Sequence, residues 1–189
     1  MKIGILAGEI PPPYFIHQLV INIAEMGHKV SLYGSIKGKI ISPDNASILL
    51  KVKYSNKVSI VFNAILLLIK LIYKNNGRNS YRLLSKIWTH EKKIGAFLYR
   101  CCNVLPPFLD DLDILHIQWA KALVYYPEFM EDLKCPIILS LRGTHINISP
   151  LIDKKLTYLY KKYFPKINGF HAVSKAIAKE AQKYGIDPQ

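Results

Sequence analysis

Cysteines, acidic residues and nucleotide-binding loops are scarce in this 189-residue sequence, and each scarcity narrows the class of protein. The three cysteines, Cys101, Cys102 and Cys135, form no C-x-x-C pair, which predicts reduced, mostly buried thiols and no metal site. No G-x-x-x-x-G-K-S/T loop occurs, which excludes a P-loop NTPase, and neither a G-x-S-x-G elbow nor zincin histidine spacing is present. The first apolar run ends at Glu9, too short for a secretory leader, so we expect a cytoplasmic protein.

Acidic residues number 13 against 26 lysines and arginines, which gives a formal net charge of +13. The excess is concentrated, because residues 29–100 carry 11 lysines and 3 arginines against Asp44 and Glu91, a balance of +12. A one-sided basic field attracts polyanions and acidic surfaces. The candidate partners are therefore anionic lipid and nucleic acid.

The longest apolar run of this basic stretch, residues 58–73 (VSIVFNAILLLIKLIY), is interrupted mainly by Ser59, Asn63 and Lys70. As a helix it would span roughly 24 Å, short of the ~30 Å hydrocarbon core of a bilayer, so a transmembrane helix is not expected. Cations flank the run on both sides, as in an interfacial membrane contact. A helix of the protein core with solvated lysines is the open alternative. Nucleic acid is not an expected partner, because no arginine-rich reading helix, zinc knuckle or aromatic RNA-binding strand occurs.

Strands and helices alternate along most of the chain. Strands are predicted at residues 2–7, 29–33, 48–54, 113–118, 137–141 and 169–173. Helices are predicted at residues 14–26, 58–73, 80–102, 125–133, 151–163 and 175–184, and proline-containing loops at residues 11–13 and 105–111. Gly27 and Gly185 are predicted to end helices and Ser174 to cap one. The order predicts an α/β fold, a Rossmann-like doubly wound parallel sheet in a single domain.

In the common strand order of such sheets, the first strand lies beside the strand at residues 113–118, and ligands bind outside the carboxyl ends of these strands. One candidate site therefore comprises residues 9–14, 118–120, 142–145 and Ser174. A dinucleotide site needs glycines in the first turn, so that the backbone can approach a pyrophosphate. Residues 11–13 are prolines, so NAD and FAD are not expected, and a generic nucleotide-binding function is the least favoured interpretation of the site.

Four segments resemble, in order and at plausible spacing, the N-terminal domain of GT-B fold glycosyltransferases of family 4. They are KIGILAGEI with FIHQLVINIAEMGHKV, DLDILHIQWA, PIILSLRGTHI and INGFHAVSKAIAKEAQKYGI. The sequence departs from the family in the three prolines of its first turn and in Gln118, which replaces the second histidine of an H-x-H pattern. It also has Arg142 where many members have a histidine that contacts the transferred sugar, and His145 in place of an aspartate.

The resemblance implies that residues 1–189 are a glycosyltransferase subfamily 4-like N-terminal domain, the acceptor-side half of a GT-B fold. The family's second domain binds the nucleotide sugar through a basic pair and an E-x7-E motif, and nothing in this sequence corresponds to either. We therefore expect the acceptor-binding half of a retaining hexosyltransferase of surface polysaccharide or glycolipid biosynthesis, inactive alone and needing no metal or cofactor besides the nucleotide-sugar donor. Its partners would be a glycan or lipid-linked acceptor, a donor-binding domain or subunit, and an anionic membrane at the inner face of the plasma membrane.

The expected substrate-binding residues are Glu9, Pro12, Pro13, Tyr14, His116, Trp119, Arg142, Gly143, Thr144, His145 and Ser174. The guanidinium of Arg142 suits a phosphate of the donor or of a lipid acceptor. Trp119 would stack on a sugar ring or pack in the core, and His116 would contact a ligand or form a core hydrogen bond. No catalytic residue is assigned. The second function considered is a non-catalytic, membrane-associated adaptor that recruits a separate donor-binding subunit.

Overall fold

The computed structural model describes residues 1–36, 48–50, 57–74 and 77–186. Within these ranges the strands are β1 (Lys2–Ile10), β2 (Lys29–Ile36), β3 (Ile48–Leu50), β4 (Ile114–Ile117), β5 (Ile137–Leu141) and β6 (Gly169–Ala172). The helices are α1 (Tyr14–Glu25), α2 (Lys57–Lys74), α3 (Gly77–Glu91), α4 (Ile94–Leu109), α5 (Ala122–Tyr125), α6 (Pro127–Asp132), α7 (Gly143–Asn147), α8 (Ser149–Ile152), α9 (Lys154–Tyr163) and α10 (Lys175–Ala181). Single 3-10 turns follow α9 and α10.

The described strands form one six-stranded sheet in the order β3-β2-β1-β4-β5-β6, and every adjacent pair is parallel. Helices cover both faces, so the predicted Rossmann-like, doubly wound α/β fold is confirmed. β1 lies between β2 and β4, with Ile5 in register with His116. β2 and β3 are added on one side of β1, and β4 to β6 are added on the other, as predicted from the common strand order. The carboxyl ends of β1 and β4, where the order reverses, are called the switch point.

The two faces of the sheet are packed differently. Because successive residues of a strand point to opposite sides, α1 buries one set of β1 and β2 side chains. That cluster contains Ile5, Ala7, Ile10, Ile16, Val20, Val30 and Leu32. The opposite face carries a larger cluster in which Leu115, Ile117 and Leu139 of the strands pack with side chains of α2 to α7, α9 and α10. The main core of the protein lies on this second face.

β1 runs three residues beyond its predicted end, because a bulge lets it continue beside β2. Gly8 has a positive φ of 88°, and the pairing with β2 shifts register between Leu6 and Gly8. A Cβ atom on Gly34 would lie 3.0 Å from the backbone nitrogen of Glu9, so the bulge fits only against a glycine. Pairing with β4 ends at Leu6. The bulge therefore separates β1 from β4 and opens a space at the switch point.

The predicted loop at residues 105–111 is wrong, because α4 continues through Pro106 and Pro107 to Leu109. Two consecutive prolines remove two backbone donors and normally break a helix at a cost of about 3 kcal/mol or more. Here burial outweighs that cost, since Cys101, Cys102, Val104, Leu105, Pro106 and Pro107 are all buried. The predicted burial is confirmed at Cys101 and Cys102, while Cys135 is half-buried. Burial raises the pKa of Cys101 to about 12.

Three predicted helices have different bounds in the structure. The helix expected at residues 80–102 is divided into α3 and α4 by Lys92, which adopts a left-handed backbone with φ of 50°. The helix expected at 125–133 is divided into α5 and α6, with Pro127 as the first residue of α6. The helix expected at 151–163 begins at Lys154, because the Asp153 side chain accepts the N–H groups of the first turn. Of the strand expected at 48–54, residues 51–54 lie outside the described residues.

α2 is not the fully buried core helix that its composition allowed. Only Ala64 and Leu71 are buried, and the helix packs on α4 through this narrow side. Its other large apolar side chains are exposed or half-buried. No helix within the described residues is long and apolar enough to cross a membrane.

Candidate functional site

Side chains of α1, of α7 and of the residues just after β4 and β5 meet at the switch point, beside the backbone of β1. The Trp119 side chain, just beyond β4, lies in the space that the β1 bulge opens, and its indole Nε1–H donates to the Ala7 carbonyl at 2.8 Å. The Phe15 ring meets the indole edge-on at 6.1 Å between centroids, and the His145 ring lies 5.4 Å away, tilted by 43°. Trp119 thus connects β1 with α1 and α7, and its ring forms the floor of the site.

Arg142 is held at the centre of this cluster. Its Nε and Nη2 donate to the backbone and side-chain oxygens of Gln118 at 3.2 and 3.0 Å. The guanidinium carbon lies 4.3 Å from the Phe15 ring centroid and 5.4 Å from that of Trp119. An arginine has five N–H donors, and two of them are used by Gln118. About three therefore remain that could donate to a ligand. This cation is preorganised by a fork of hydrogen bonds and two aromatic faces.

Two buried polar atoms beside Arg142 have no hydrogen-bond partner among the described residues: Nε2 of Gln118 and Nδ1 of His145. Leaving a buried polar atom unpaired costs about 1–3 kcal/mol, so both are candidate contacts for a polar ligand. Burial lowers the pKa of His145, and the charges of Lys121 and Arg142 lower it further. His145 is therefore neutral near pH 7, while Arg142 and Lys121 give the site a positive potential.

His116 forms a polar chain across the sheet. Its Nε2 lies 2.9 Å from Oγ of the buried Ser140, which lies 3.3 Å from Nδ1 of His171 on β6. Burial, followed by electrostatic repulsion from His171 and Arg142, lowers the pKa of His116 to about 4. Of the two interpretations of His116, the structure therefore supports a hydrogen bond inside the protein over contact with a ligand. His116 lies two residues before Gln118, where the cluster begins.

The other predicted site residues lie at the same edge of the sheet without sharing the central cluster. Pro12 is buried and Tyr14 is exposed at the start of α1, while Glu9 belongs to the extended β1. The list is completed by Pro13, which precedes α1, and by Gly143 and Thr144, which begin α7. The Ser174 hydroxyl accepts the N–H of Ile177 at 3.3 Å, so the predicted helix cap is confirmed.

Phe15 is the site residue that the sequence did not indicate, because its position fits the apolar spacing of α1. Its place in the first turn of the helix puts it above the strand ends rather than over the sheet, and its side chain stays 46% exposed. Gln118 was placed at this edge, but its contact with Arg142 depends on side-chain geometry. Among the described residues, no group of three histidine, cysteine or carboxylate side chains could hold a metal ion.

The sequence matches no protein-family model, and no curated protein matches it significantly.

Proposed function

We propose that this protein is the acceptor-binding half of a nucleotide-sugar-dependent glycosyltransferase, and that the switch-point site binds a phosphorylated glycan. The observation that carries the proposal is Arg142, fixed by Gln118 between two aromatic rings beside two unpartnered polar atoms. Arginine N–H groups suit phosphate oxygens, the Gln118 amide suits a sugar hydroxyl, and the aromatic rings suit the apolar face of a pyranose.

The chemistry of the site favours binding over catalysis by this chain alone. His116 is neutral and hydrogen-bonded within the sheet, and Arg142 is a donor that stays protonated near pH 7. We propose that the leaving nucleotide is stabilised by a donor-binding domain or subunit that closes over this edge, which would exclude water. Within that proposal, Arg142 holds the acceptor or donor phosphate and the residues around it orient the acceptor hydroxyl.

An NMR titration tests the binding proposal with three probes: glucose 1-phosphate, glucose and inorganic phosphate. We expect glucose 1-phosphate to shift the N–H signals of Trp119 and Arg142 at lower concentration than either part alone. Arg142→Gln should weaken that binding about tenfold, whereas the exposed Arg82→Gln should leave it unchanged. Tighter binding of NAD than of the sugar phosphate would contradict the proposal.

A transfer assay tests the division of labour. With UDP-glucose or GDP-mannose, the chain alone should release no nucleoside diphosphate above the buffer control. Measurable turnover by the chain alone would show that donor chemistry does not need a second domain, and that part of the proposal would fail.

A further inference from the structure

The outer side of α2 is a continuous apolar surface, here called the α2 stripe. It consists of Val58, Val61, Phe62, Ile65, Leu66, Ile69, Ile72 and Tyr73. Their exposed fractions run from 40% to 88%. At 100° per residue the eight side chains occupy about 140° of the helix circumference, and no polar or charged residue interrupts that arc. Such a surface is unusual for a protein in water, where exposed apolar residues are normally scattered.

Cations border the α2 stripe. Lys57 and Lys70 are exposed on its two sides, and neither has a carboxylate partner among the described residues. Over residues 57–109 the sequence has nine lysines and arginines against a single acid, Glu91.

The cations of this region fall into two groups. Lys74 at the end of α2, Arg82 and Lys86 of α3, and Arg100 of α4 are ion-paired with carboxylates. Lys92 and Lys93, between those helices, are exposed and have no described ion pair. Among the cations of this region whose side chains the structure describes, those without an ion pair are therefore Lys57 and Lys70 of α2 and Lys92 and Lys93 of the α3–α4 turn.

We propose that the α2 stripe docks on an anionic membrane surface, with α2 lying in the plane of the interface. An interfacial helix buries its apolar face by about 5–10 Å at the boundary of headgroups and acyl chains, which leaves bordering lysines level with the lipid phosphates. The 18 residues of α2 span roughly 27 Å along that plane. Charge complementarity favours lipid over a second copy of the chain, because two copies would oppose the same unpaired lysines across a symmetric contact. This inference does not depend on the proposed glycosyltransferase role.

Vesicle cosedimentation of the 189-residue chain tests the proposal, with neutral phosphatidylcholine vesicles and vesicles containing about a third phosphatidylglycerol. We expect binding to the anionic vesicles at least about tenfold tighter than to the neutral ones, and much weaker binding at about 0.5 M NaCl than at about 0.1 M. Equal binding to both vesicles, or no binding to either, overturns the proposal.

Paired variants locate the contact. Phe62→Ser with Ile72→Ser should weaken anionic-vesicle binding about 30-fold, because two inserted side chains are lost. The control Met26→Ser with Ile152→Ser, two exposed apolar side chains elsewhere, should bind like the wild type. Lys57→Gln with Lys70→Gln should weaken binding about tenfold, while Lys175→Gln with Lys179→Gln makes the same charge change on α10 with little effect.

Two further measurements keep the result interpretable. Circular dichroism melts establish that each variant is folded, and only folded variants are compared. Wild-type binding by the Phe62 and Ile72 double variant overturns the proposal, and so does equal weakening by the two lysine pairs. A dimer in sedimentation velocity that the same apolar variant abolishes, without vesicle binding by the wild type, would assign the stripe to a second copy.

Discussion

The α1-side face of the sheet is built in two different ways. Over β1 and β2 it is apolar and closed: Ile5, Val30 and Leu32 are buried under α1. Over β4 and β5 the same face carries polar side chains. His116 of β4 lies beside Ile5, and Ser140 follows two residues after Ile138, the β5 residue in register with His116. One half of the face contributes packing energy, while the other keeps polar groups in a sheet interior where they pay a desolvation cost. The difference shows which half is organised for stability and which half carries a polar network towards the site.

The largest expected effect is in the closed half. Ile16→Ala removes a fully buried side chain between α1 and the sheet and should lower the free energy of unfolding by about 3 kcal/mol. Ile138→Ala, on the same face over β5, removes a half-buried side chain and should cost only about 1 kcal/mol. Urea unfolding measures both, and equal losses would remove the distinction between the halves.

The polar half should make stability depend on pH. The pKa of His116 is about 4 in the folded protein, against about 6.5 for an unfolded histidine, so the unfolded chain binds the proton more tightly. The contribution of neutral His116 is therefore present above about pH 6.5 and is lost as pH falls towards 4.

Between about pH 7 and about pH 5, this loss should amount to about 2 kcal/mol of unfolding free energy. Urea unfolding of the wild type, of His116→Gln and of the exposed control His90→Gln at both pH values isolates the contribution of His116 to the free energy of unfolding. If His116→Gln retains the full pH dependence, the titration belongs to another group.

The smallest expected effect is at the boundary between the halves. Trp119→Phe keeps an aromatic ring but removes the N–H that satisfies the Ala7 carbonyl, which should cost about 1 kcal/mol of unfolding free energy. Trp88→Phe is the control, because Trp88 is half-exposed on α3 and packs edge-on against Phe97. An equal cost for the two substitutions would mean that the hydrogen bond to β1 contributes nothing of its own.

Local chemistry explains why much of the fold was predictable. The break before α1 follows from three prolines, its end from Gly27 with φ of 83°, and the start of α10 from the Ser174 cap. The strand order follows from the alternation of strands and helices, and it is sufficient to place Trp119 and Arg142 at one edge of the sheet. Each of these features depends on a few neighbouring residues or on a general rule of parallel sheets.

The features that were missed depend on distant contacts. Pro106 and Pro107 remain helical because tertiary burial compensates for their lost backbone hydrogen bonds, and no local pattern encodes that burial. The left-handed residue that divides α3 from α4 is a lysine rather than a glycine, so composition gave no sign of a break there. Phe15 and the Gln118 amide belong to the site through side-chain placement, which an apolar pattern or a strand position does not specify.

The two buried thiols of α4 make local unfolding of this helix measurable by cysteine labelling. Cys101 and Cys102 are buried in the middle of α4, and burial raises the pKa of Cys101, so an alkylating reagent reaches them only when α4 detaches from the core. Half-buried Cys135 provides an internal reference that is modified sooner. Mass spectrometry of pulse-labelled protein would therefore measure the rate at which the proline-containing helix opens, separately from the rate of global unfolding.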